Sequence, residues 1–311
     1  MNRKLLLIMF GFLSSVILIA QVPQTLNDAT SKETRTFKDI YSKSIPDLQK
    51  INYPYLREAD VFWAKNIYRV IDLREKINQP FYYPILPVAD GRKSFMRILL
   101  DTLKFYSPDT SKLNINNKKT TRQPWLFVYD GSSLTADTLV KPLTYNDVEK
   151  NMGGGYLMKQ KRNMQTQQMV PTRVYEPPHV ENIKELRLYE EWFFDKKHSK
   201  LDVRIIAICP IYYNYDEATK TLRKSAVFWV KYDDLRDMLS KKEVFNSFND
   251  AQRVSFDDLF IQRKFDSYII AESNVYNDRD IIQYATGRDA IFEADRIKKD
   301  LFNFEHDLWE Y

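Results

Sequence analysis

Cysteine, glycine and histidine are all scarce in this chain of 311 residues, and each shortage argues against a class of chemistry. Cys209 is the single cysteine, so the chain has no internal disulfide and no cysteine-based zinc cluster. Its three histidines, His179, His198 and His306, lack the spacing of metal ligands. Its seven glycines do not form the spaced pattern that cradles a phosphate group. We therefore expect no metal and no cofactor, and we expect Cys209 to be buried at the end of a strand.

Charge of one sign is not in excess either. The chain has 47 Lys and Arg residues against 42 Asp and Glu residues, a formal net charge of +5. Two of the basic residues lie within the first twenty positions, so the remainder is near +3. This balance lacks the basic footprint of a nucleic-acid-binding protein, and we expect no nucleic-acid partner.

Sequence motifs for catalysis are also missing. The chain has no Gly-x-Ser-x-Gly elbow for a serine nucleophile. Its many carboxylates leave open a glycosidase pair, with Glu190 or Glu191 acting beside Asp195. Neighbours on a strand face opposite sides, so at most one of Glu190 and Glu191 could enter a given cleft. We predict that the chain is not an enzyme, with a freestanding exported hydrolase or glycan-binding module as the alternative.

Residues 1–20 have the pattern of a secretory signal peptide. Two basic residues precede an apolar run, Leu5–Ile19, and the small residue Ala20 follows it. The run of about fifteen residues is shorter than the roughly 20 that span a bilayer as a helix; an uncleaved anchor is the alternative. We expect cleavage after Ala20, with Gln21 as the mature first residue. The only cysteine is Cys209, so no lipid-bearing cysteine follows this cleavage site.

The remaining chain is predicted to be an α+β protein. We expect an antiparallel meander in its C-terminal half, with flanking helices and a long C-terminal helix. The predicted division is a signal peptide at 1–20, a flexible N-terminal arm at 21–50, a mainly helical part at 51–107, a basic loop-rich segment at 108–180 and an α+β C-terminal part at 181–311.

Two helices are predicted within 51–107. Val61 to Ile71 keeps helical spacing with an unusually wide apolar stripe, and a strand from Tyr68 to Leu73 is the alternative. A second helix has one apolar face, formed by Phe95, Ile98, Leu99, Thr102, Leu103 and Tyr106.

Within 108–180, a short strand from Trp125 to Tyr129 and a short capped helix from Thr144 to Met152 are predicted. The triplet Gly153-Gly154-Gly155 suggests a flexible joint. The surrounding loops are expected to be basic and poor in acidic residues, with Lys112, Lys118, Lys119 and Arg122 in one and Lys159, Lys161 and Arg162 in another.

The C-terminal part is predicted in more detail. Three runs rich in β-branched and aromatic residues form the meander: Leu186–Phe194, Leu201–Tyr213 and Ala226–Tyr232. Short helices follow at Asp233–Lys241 and at Ser255–Lys264, where Ser255 and Asp258 have capping-box spacing, and a strand is expected at Ser267–Ala271. From Arg288 the chain forms the long helix, with an apolar stripe of Ile291, Ala294, Ile297, Leu301, Phe304 and Leu308. Phe292, Phe302 and Trp309 lie outside that stripe.

Opposite charges are concentrated in different parts of the chain. Residues 110–175 carry ten basic and four acidic residues, and residues 176–311 carry 21 and 27. The asymmetry is explained either by solvated loops or by oppositely charged ends of adjoining subunits. The candidate interface residues are Trp63, Tyr68, Lys118, Lys119, Arg122, Trp309 and Tyr311, although any single aromatic in this set is better explained as core.

Long ordered strings in the chain resemble one known family. They are Pro54–Pro84, Glu191–Pro210, Glu243–Phe260, Ser267–Ile281 and the terminal Asp300–Tyr311. These strings resemble the GldN/PorN family of gliding-motility and type IX secretion proteins. The resemblance runs from about residue 53 to the last residue and is weakest across 108–180.

The resemblance implies a structural function. Members of that family are periplasmic and form a ring under the outer membrane with a lipoprotein, GldK/PorK. They also contact the inner-membrane component GldM/PorM, which is linked to a motor. The family has no catalytic or cofactor residues to transfer to this chain. The resemblance therefore implies copies of the chain within a ring, needed for protein secretion, with membrane association supplied indirectly by the lipoprotein.

Overall fold

An antiparallel sheet organises the chain between Glu58 and Leu308. The computed structural model describes residues 49–88, 91–106, 126–131, 142–162, 169–216, 219–246, 249 and 252–308, all within one unit, Asp47–Tyr311. The predicted signal peptide, and the predicted N-terminal arm up to residue 48, lie outside these residues. The α+β class is confirmed.

The described strands and helices have the following bounds. The strands are β1 (Val61–Asp72), β2 (Val128–Asp130), β3 (Pro142–Leu143), β4 (Gly155–Arg162), β5 (Met169–Glu176), β6 (Ile183–Asp195), β7 (Lys200–Asp216), β8 (Thr221–Ala226), β9 (Phe228–Lys231), β10 (Glu243–Val244), β11 (Val254–Ser255) and β12 (Tyr268–Glu272). The helices are α1 (Gln79–Tyr82), α2 (Phe95–Tyr106), α3 (Tyr145–Asn151), α4 (Tyr232–Leu239), α5 (Phe256–Ile261) and α6 (Arg288–Asp307).

The main sheet has the strand order β12-β1-β6-β7-β9-β2-β3, and β8 pairs with the far end of β7. The predicted meander is confirmed, because β6, β7, β8 and β9 pair antiparallel in the expected region. Asp195 ends β6 and accepts hydrogen bonds from the backbone N–H groups of Lys197 and His198. These bonds shape the turn that returns the chain as β7.

The predicted helix over Val61–Ile71 is wrong, because this segment is strand β1. The alternative, a strand at Tyr68–Leu73, is correct about the type of element, but its bounds differ, since β1 runs from Val61 to Asp72. Ile67 and Tyr68 are adjacent, point to opposite faces of the sheet and are both fully buried. A strand covered on both faces shows a nearly continuous apolar run instead of an alternation, and that run imitates the wide stripe of a buried helix.

One face of the sheet carries the largest core. Helices α1, α2, α4 and α5 contribute to it, and the phenylalanine rings Phe81, Phe95, Phe256 and Phe260 contact one another at its centre. The predicted helices at 95–106, 144–152, 233–241 and 255–264 are confirmed: the first has the predicted bounds, and the other three end one to three residues earlier than predicted. Capping boxes open two of them, at Thr144 with Asp147 and at Ser255 with Asp258.

A second, smaller core lies under α6 on the same face. Ile67 of β1 and Ile269 of β12 pack there against Ile297 and Leu301 of the helix. The ring of Trp63 stacks on Phe304 with 4.4 Å between centroids. The predicted stripe of α6 is wrong at Ile291, which is exposed, because Ala290 and Ala294 occupy the face turned towards the core.

Glu190 lies between these two cores. It is directly opposite Ile67 of the smaller core, and Leu188, two residues earlier on β6, belongs to the larger one. The carboxylate is fully buried and accepts two hydrogen bonds from Arg263, at 2.8 and 3.2 Å. Arg69 Nε lies 3.4 Å from it, and Trp192 Nε1 donates to it at 3.0 Å. An unpaired buried charge destabilises a fold. These partners compensate the charge of Glu190, which therefore has a structural role between the two cores.

The other face of the sheet carries an aromatic cluster built from strand residues. Tyr68 stacks on Tyr189 with 4.9 Å between centroids, and Trp229 and Cys209 belong to the same cluster. Cys209 is a free, fully buried thiol, as predicted, but it lies in the middle of β7 and not at the end of a strand. Burial raises its pKa to about 12, because a thiolate is poorly solvated there.

The segment from 153 to 176 contradicts two predictions. The triple glycine is a packed turn and not a flexible joint: Gly153 and Gly155 have φ of 73° and 102°. A Cβ at Gly154 would approach the backbone of Pro178 to 2.7 Å. The expected basic loops around Lys159, Lys161 and Arg162 are wrong as well, since these residues lie in β4, which pairs with β5 over eight residue pairs.

We expect Glu190→Gln to lower the free energy of unfolding by about 3 kcal/mol, because it leaves Arg69 and Arg263 without a buried counter-charge. Urea denaturation of the mature protein measures this. Asp101→Asn is the matched control, since Asp101 pairs with Lys93 on the surface and the change should cost less than about 1 kcal/mol. Equal effects of the two substitutions would contradict the assigned role of Glu190.

We expect Cys209 to resist thiol reagents in the folded protein. With a pKa of about 12, only about one thiol in ten thousand is ionised at pH 8, and the thiolate is the reactive form. Absorbance titration with a disulfide reagent should show no reaction in buffer and one equivalent in denaturant. Rapid labelling of the native chain would show that the thiol is accessible.

Candidate interaction surfaces

The described residues contain little that resembles a catalytic or metal centre. Within those ranges, no group of three or more His, Cys, Asp and Glu side chains is placed to hold a metal ion. A cavity beside α1, lined in part by Phe81, Tyr82 and Met96, has a volume of about 10 Å³, room for about one water molecule. None of the helices in those ranges is long and apolar enough to cross a bilayer.

The carboxylates considered for a glycosidase pair are not brought together. Glu190 and Asp195 lie on one strand, about 16 Å apart at about 3.3 Å per residue, well beyond the separation that glycosidases use. Glu191 is only partly buried and faces away from Glu190, as predicted. The His198 ring, hydrogen-bonded to Asp195, holds the pKa of that carboxyl below its usual value. Both buried carboxylates therefore have structural partners.

The structure places two of the predicted interface residues in the interior. Tyr68 is fully buried, and its hydroxyl donates to Asp278 at 2.9 Å. Trp63 is half-buried under α6. Both have the core position that the sequence analysis favoured for any single aromatic, so neither is used in the surfaces below. The other predicted residues, Lys118, Lys119, Arg122, Trp309 and Tyr311, lie outside the described residues, as do Ala20 and Gln21.

The first candidate surface is one face of the β4–β5 hairpin. In the register of the hairpin, Tyr156 lies opposite Tyr175 and Met158 opposite Arg173. These four side chains and Met169 share one face, because pairs directly opposite point the same way. All five are exposed. Arg173 lies over the ring of Tyr156 at 4.4 Å, so the face combines aromatic, thioether and cationic groups.

The root of this hairpin is firmly held. Tyr175 donates a hydrogen bond to Glu149, a buried residue of α3. The backbone N–H of His179 donates to Met152 at 3.2 Å, and Gly154 packs on Pro178. The hairpin is therefore fixed to the start of β6, where Val180–Asn182 leads directly into Ile183.

The second candidate surface, here called the C-terminal surface, consists of exposed apolar side chains on α6 and on the loop before it. Its members are Val275, Tyr276, Ile282, Ile291, Phe292 and Phe302. Ile291, Asp295, Lys298 and Phe302 follow one another at helical spacing and share one exposed stripe of α6. Phe292 and Phe302 lie outside the buried stripe, as the sequence analysis expected.

The loop of the C-terminal surface is internally ordered. Arg279 lies over the rings of Tyr276 and Tyr284, 4.8 Å from each centroid. Tyr284 donates to Glu293 of α6 at 3.3 Å, which ties the loop to the helix. The apolar side chains are thus presented by a supported framework.

The first described residues are anchored to the body of the chain. Arg236, buried between α4 and α5, bonds to Asp257 and to the carbonyl oxygen of Ile51. Its guanidinium lies 4.1 Å from the centroid of Tyr53, and Arg204 donates to Pro54 O at 2.9 Å. These contacts hold residues 51–54 against the body of the described chain.

Sequence reasoning missed the hairpin and the position of Ile291. A signal for β5 was present, because Thr172 to Tyr175 is rich in β-branched and aromatic residues. The basic and glutamine-rich surroundings outweighed it. For α6, Ala294 was predicted on the core side, but Ala290 was missed because it does not stand out beside the larger Ile291.

Comparison with known proteins identifies the family. A search of curated proteins found no match. The model of the family described as gliding motility associated protein GldN matches residues 56–310, which is most of the chain and includes both candidate surfaces. The chain therefore belongs to the GldN family, which is associated with gliding motility and type IX secretion.

Proposed function

We propose that this protein is a structural periplasmic subunit of the type IX secretion and gliding machinery. It forms a ring-like complex with an outer-membrane lipoprotein of the GldK/PorK type and links that ring to the GldM/PorM motor component. In this role it is needed for protein secretion across the outer membrane. Family membership supports the proposal, and so does the signal-peptide pattern of residues 1–20.

The observation that carries the proposal is the pair of exposed apolar surfaces on ordered supports. Exposed apolar side chains that are grouped on an ordered support mark candidate interaction sites. Aromatic residues, methionine and arginine are enriched at the centres of interfaces, and the hairpin face carries all three types. A subunit with two such surfaces can bind two neighbours at once, as a repeated assembly requires.

Membrane association is proposed to be indirect. The chain has no cysteine near position 21 to carry a lipid. A lipoprotein partner would supply the anchor, and this chain would lie on the inner face of the outer membrane.

The structure gives little support to the alternative, an exported hydrolase or glycan-binding module. Sugar recognition by aromatic stacking needs open ring faces. Arg279 lies over the rings of both Tyr276 and Tyr284, and the carboxylates considered for hydrolysis are far apart. We therefore favour the structural role.

Gentle solubilisation of cell envelopes, followed by affinity capture of the tagged chain, tests this function. We expect a very large particle that contains a lipoprotein in stoichiometric amount, and we expect cells lacking the chain to retain their cargo. A free monomer in the extract, together with normal secretion in the deletion strain, would refute the proposal. Alanine at Glu191 alone is the fair test of the hydrolase alternative, because Glu190 and Asp195 are buried and their loss would damage the fold.

The charge asymmetry of the sequence leads to a separate prediction. Reversal of Lys118, Lys119 and Arg122 to Glu should weaken the captured particle, and high salt should loosen the wild-type particle, because charge attraction between exposed groups is screened. Sedimentation of the particle at low and high salt measures this, with circular dichroism to confirm that the variant is folded. A particle insensitive to both treatments would show that these charges do not hold it together.

A further inference from the structure

Residues 273–280 form an ordered loop that follows β12 and leads to the buried Ile281. The side chain of Asn274 organises this loop. Its oxygen accepts hydrogen bonds from two backbone N–H groups of the loop, and its amide donates to the carbonyl oxygen of Glu272 at 3.1 Å. Ile281 packs in the smaller core under α6. The last residue of the loop, Asp280, is buried beside it.

Asp280 is a buried carboxylate with incomplete partners. Its Oδ2 lies 3.9 Å from Arg187 Nη2, which is beyond hydrogen-bond distance. Within the described ranges, neither Asp280 Oδ1 nor Arg187 Nε has a hydrogen-bond partner. Glu190 differs in this respect, because both of its oxygens accept hydrogen bonds from Arg263. The negative charge of Asp280 is therefore poorly compensated by the fold.

Such a site favours the neutral form of the carboxyl group. Burial raises the pKa of Asp280 above its ordinary value, and the charge of Arg187 opposes this rise in part. If the loop opens locally, Asp280 reaches water and regains its ordinary pKa. The closed loop thus binds a proton more tightly than the open loop, so closing becomes more favourable as the pH falls through the raised pKa. This gain is complete below the ordinary pKa and is absent well above the raised one.

The titratable and charged groups around Asp280 come from three strands and from the loop itself. They are Tyr68 on β1, Arg187 on β6, Cys209 on β7, and Asp278 and Arg279 on the loop. Cys209 lies directly opposite Arg187, and with a pKa of about 12 it carries no charge near neutral pH. Asp278 accepts a hydrogen bond from the Tyr68 hydroxyl at 2.9 Å, and Arg279 lies over two tyrosine rings. Asp280 is the member of this set whose protonation removes a poorly compensated charge.

We propose that uptake of a proton by Asp280 holds residues 273–280 closed against the sheet, so that this loop opens more readily as the pH rises. The loop carries the exposed side chains of Val275 and Tyr276, and their presentation therefore depends on the pH of the compartment. This response is a property of the single chain and is independent of the proposed assembly.

Amide hydrogen exchange of the mature protein, corrected for the intrinsic effect of pH on exchange, tests this response. We expect the protection of residues 273–280 to rise several-fold from about pH 7.5 to about pH 4.5, because one pKa unit corresponds to about a tenfold change in an equilibrium constant. Asp280→Asn replaces the carboxylate with a neutral group of the same shape. Its protection should be high at both pH values. Asp289→Asn, at an exposed position at the start of α6, is the matched control and should keep the wild-type pH dependence.

A second variant should move the transition instead of removing it. Arg187→Gln removes the cation that favours the charged form of Asp280, so the rise in protection should occur at a higher pH than in the wild type. Circular dichroism shows whether each variant is folded. Wild-type protection that does not change with pH would overturn the proposal, and so would an equal rise in Asp280→Asn. A transition that moves to lower pH in Arg187→Gln would also contradict it.

Discussion

The buried pairing of Glu190 with Arg263 and Arg69 joins the two cores on one face of the sheet. Glu190 is on the central strand β6, Arg69 on β1, and Arg263 just after α5. A carboxylate without exposed surface tolerates its charge only because both oxygens are satisfied. The three residues thereby connect the helical core to the strands that support α6. The position of the C-terminal surface relative to the rest of the sheet depends on this junction.

Sequence patterns predicted the C-terminal half well because its signals are local. Leu201, Val203 and Ile205 alternate with polar residues, and β7 runs through them. At the start of α5, the side chains of Ser255 and Asp258 each accept a hydrogen bond from the backbone N–H of the other residue. The capping spacing alone therefore indicates the helix. Where one short stretch contains the physical cause of an element, that element can be found without tertiary information.

The errors arose where tertiary contacts decide the structure. Strand β1 is buried on both faces, and no periodicity distinguishes such a strand from a buried helix. The need for glycine at position 154 comes from its close contact with Pro178. Because Pro178 is distant in the sequence, a local pattern does not reveal this contact. The candidate surfaces were partly predictable. Phe292 and Phe302 could be placed outside the apolar stripe of the helix, whereas Ile291 could not, because the smaller Ala290 beside it occupies the core side.

Repetition explains how modest surfaces could sustain a large assembly. A single small contact between two subunits buries little area and costs the ordering of the side chains that form it. In a closed ring every subunit has a neighbour on each side, so no contact surface is left open at an end. Losing one subunit then breaks two contacts at once, and the effective concentration of the neighbours favours its return. The tight packing of Gly154 on Pro178 matters for this reason, because a ring closes only if each contact reproduces the same angle.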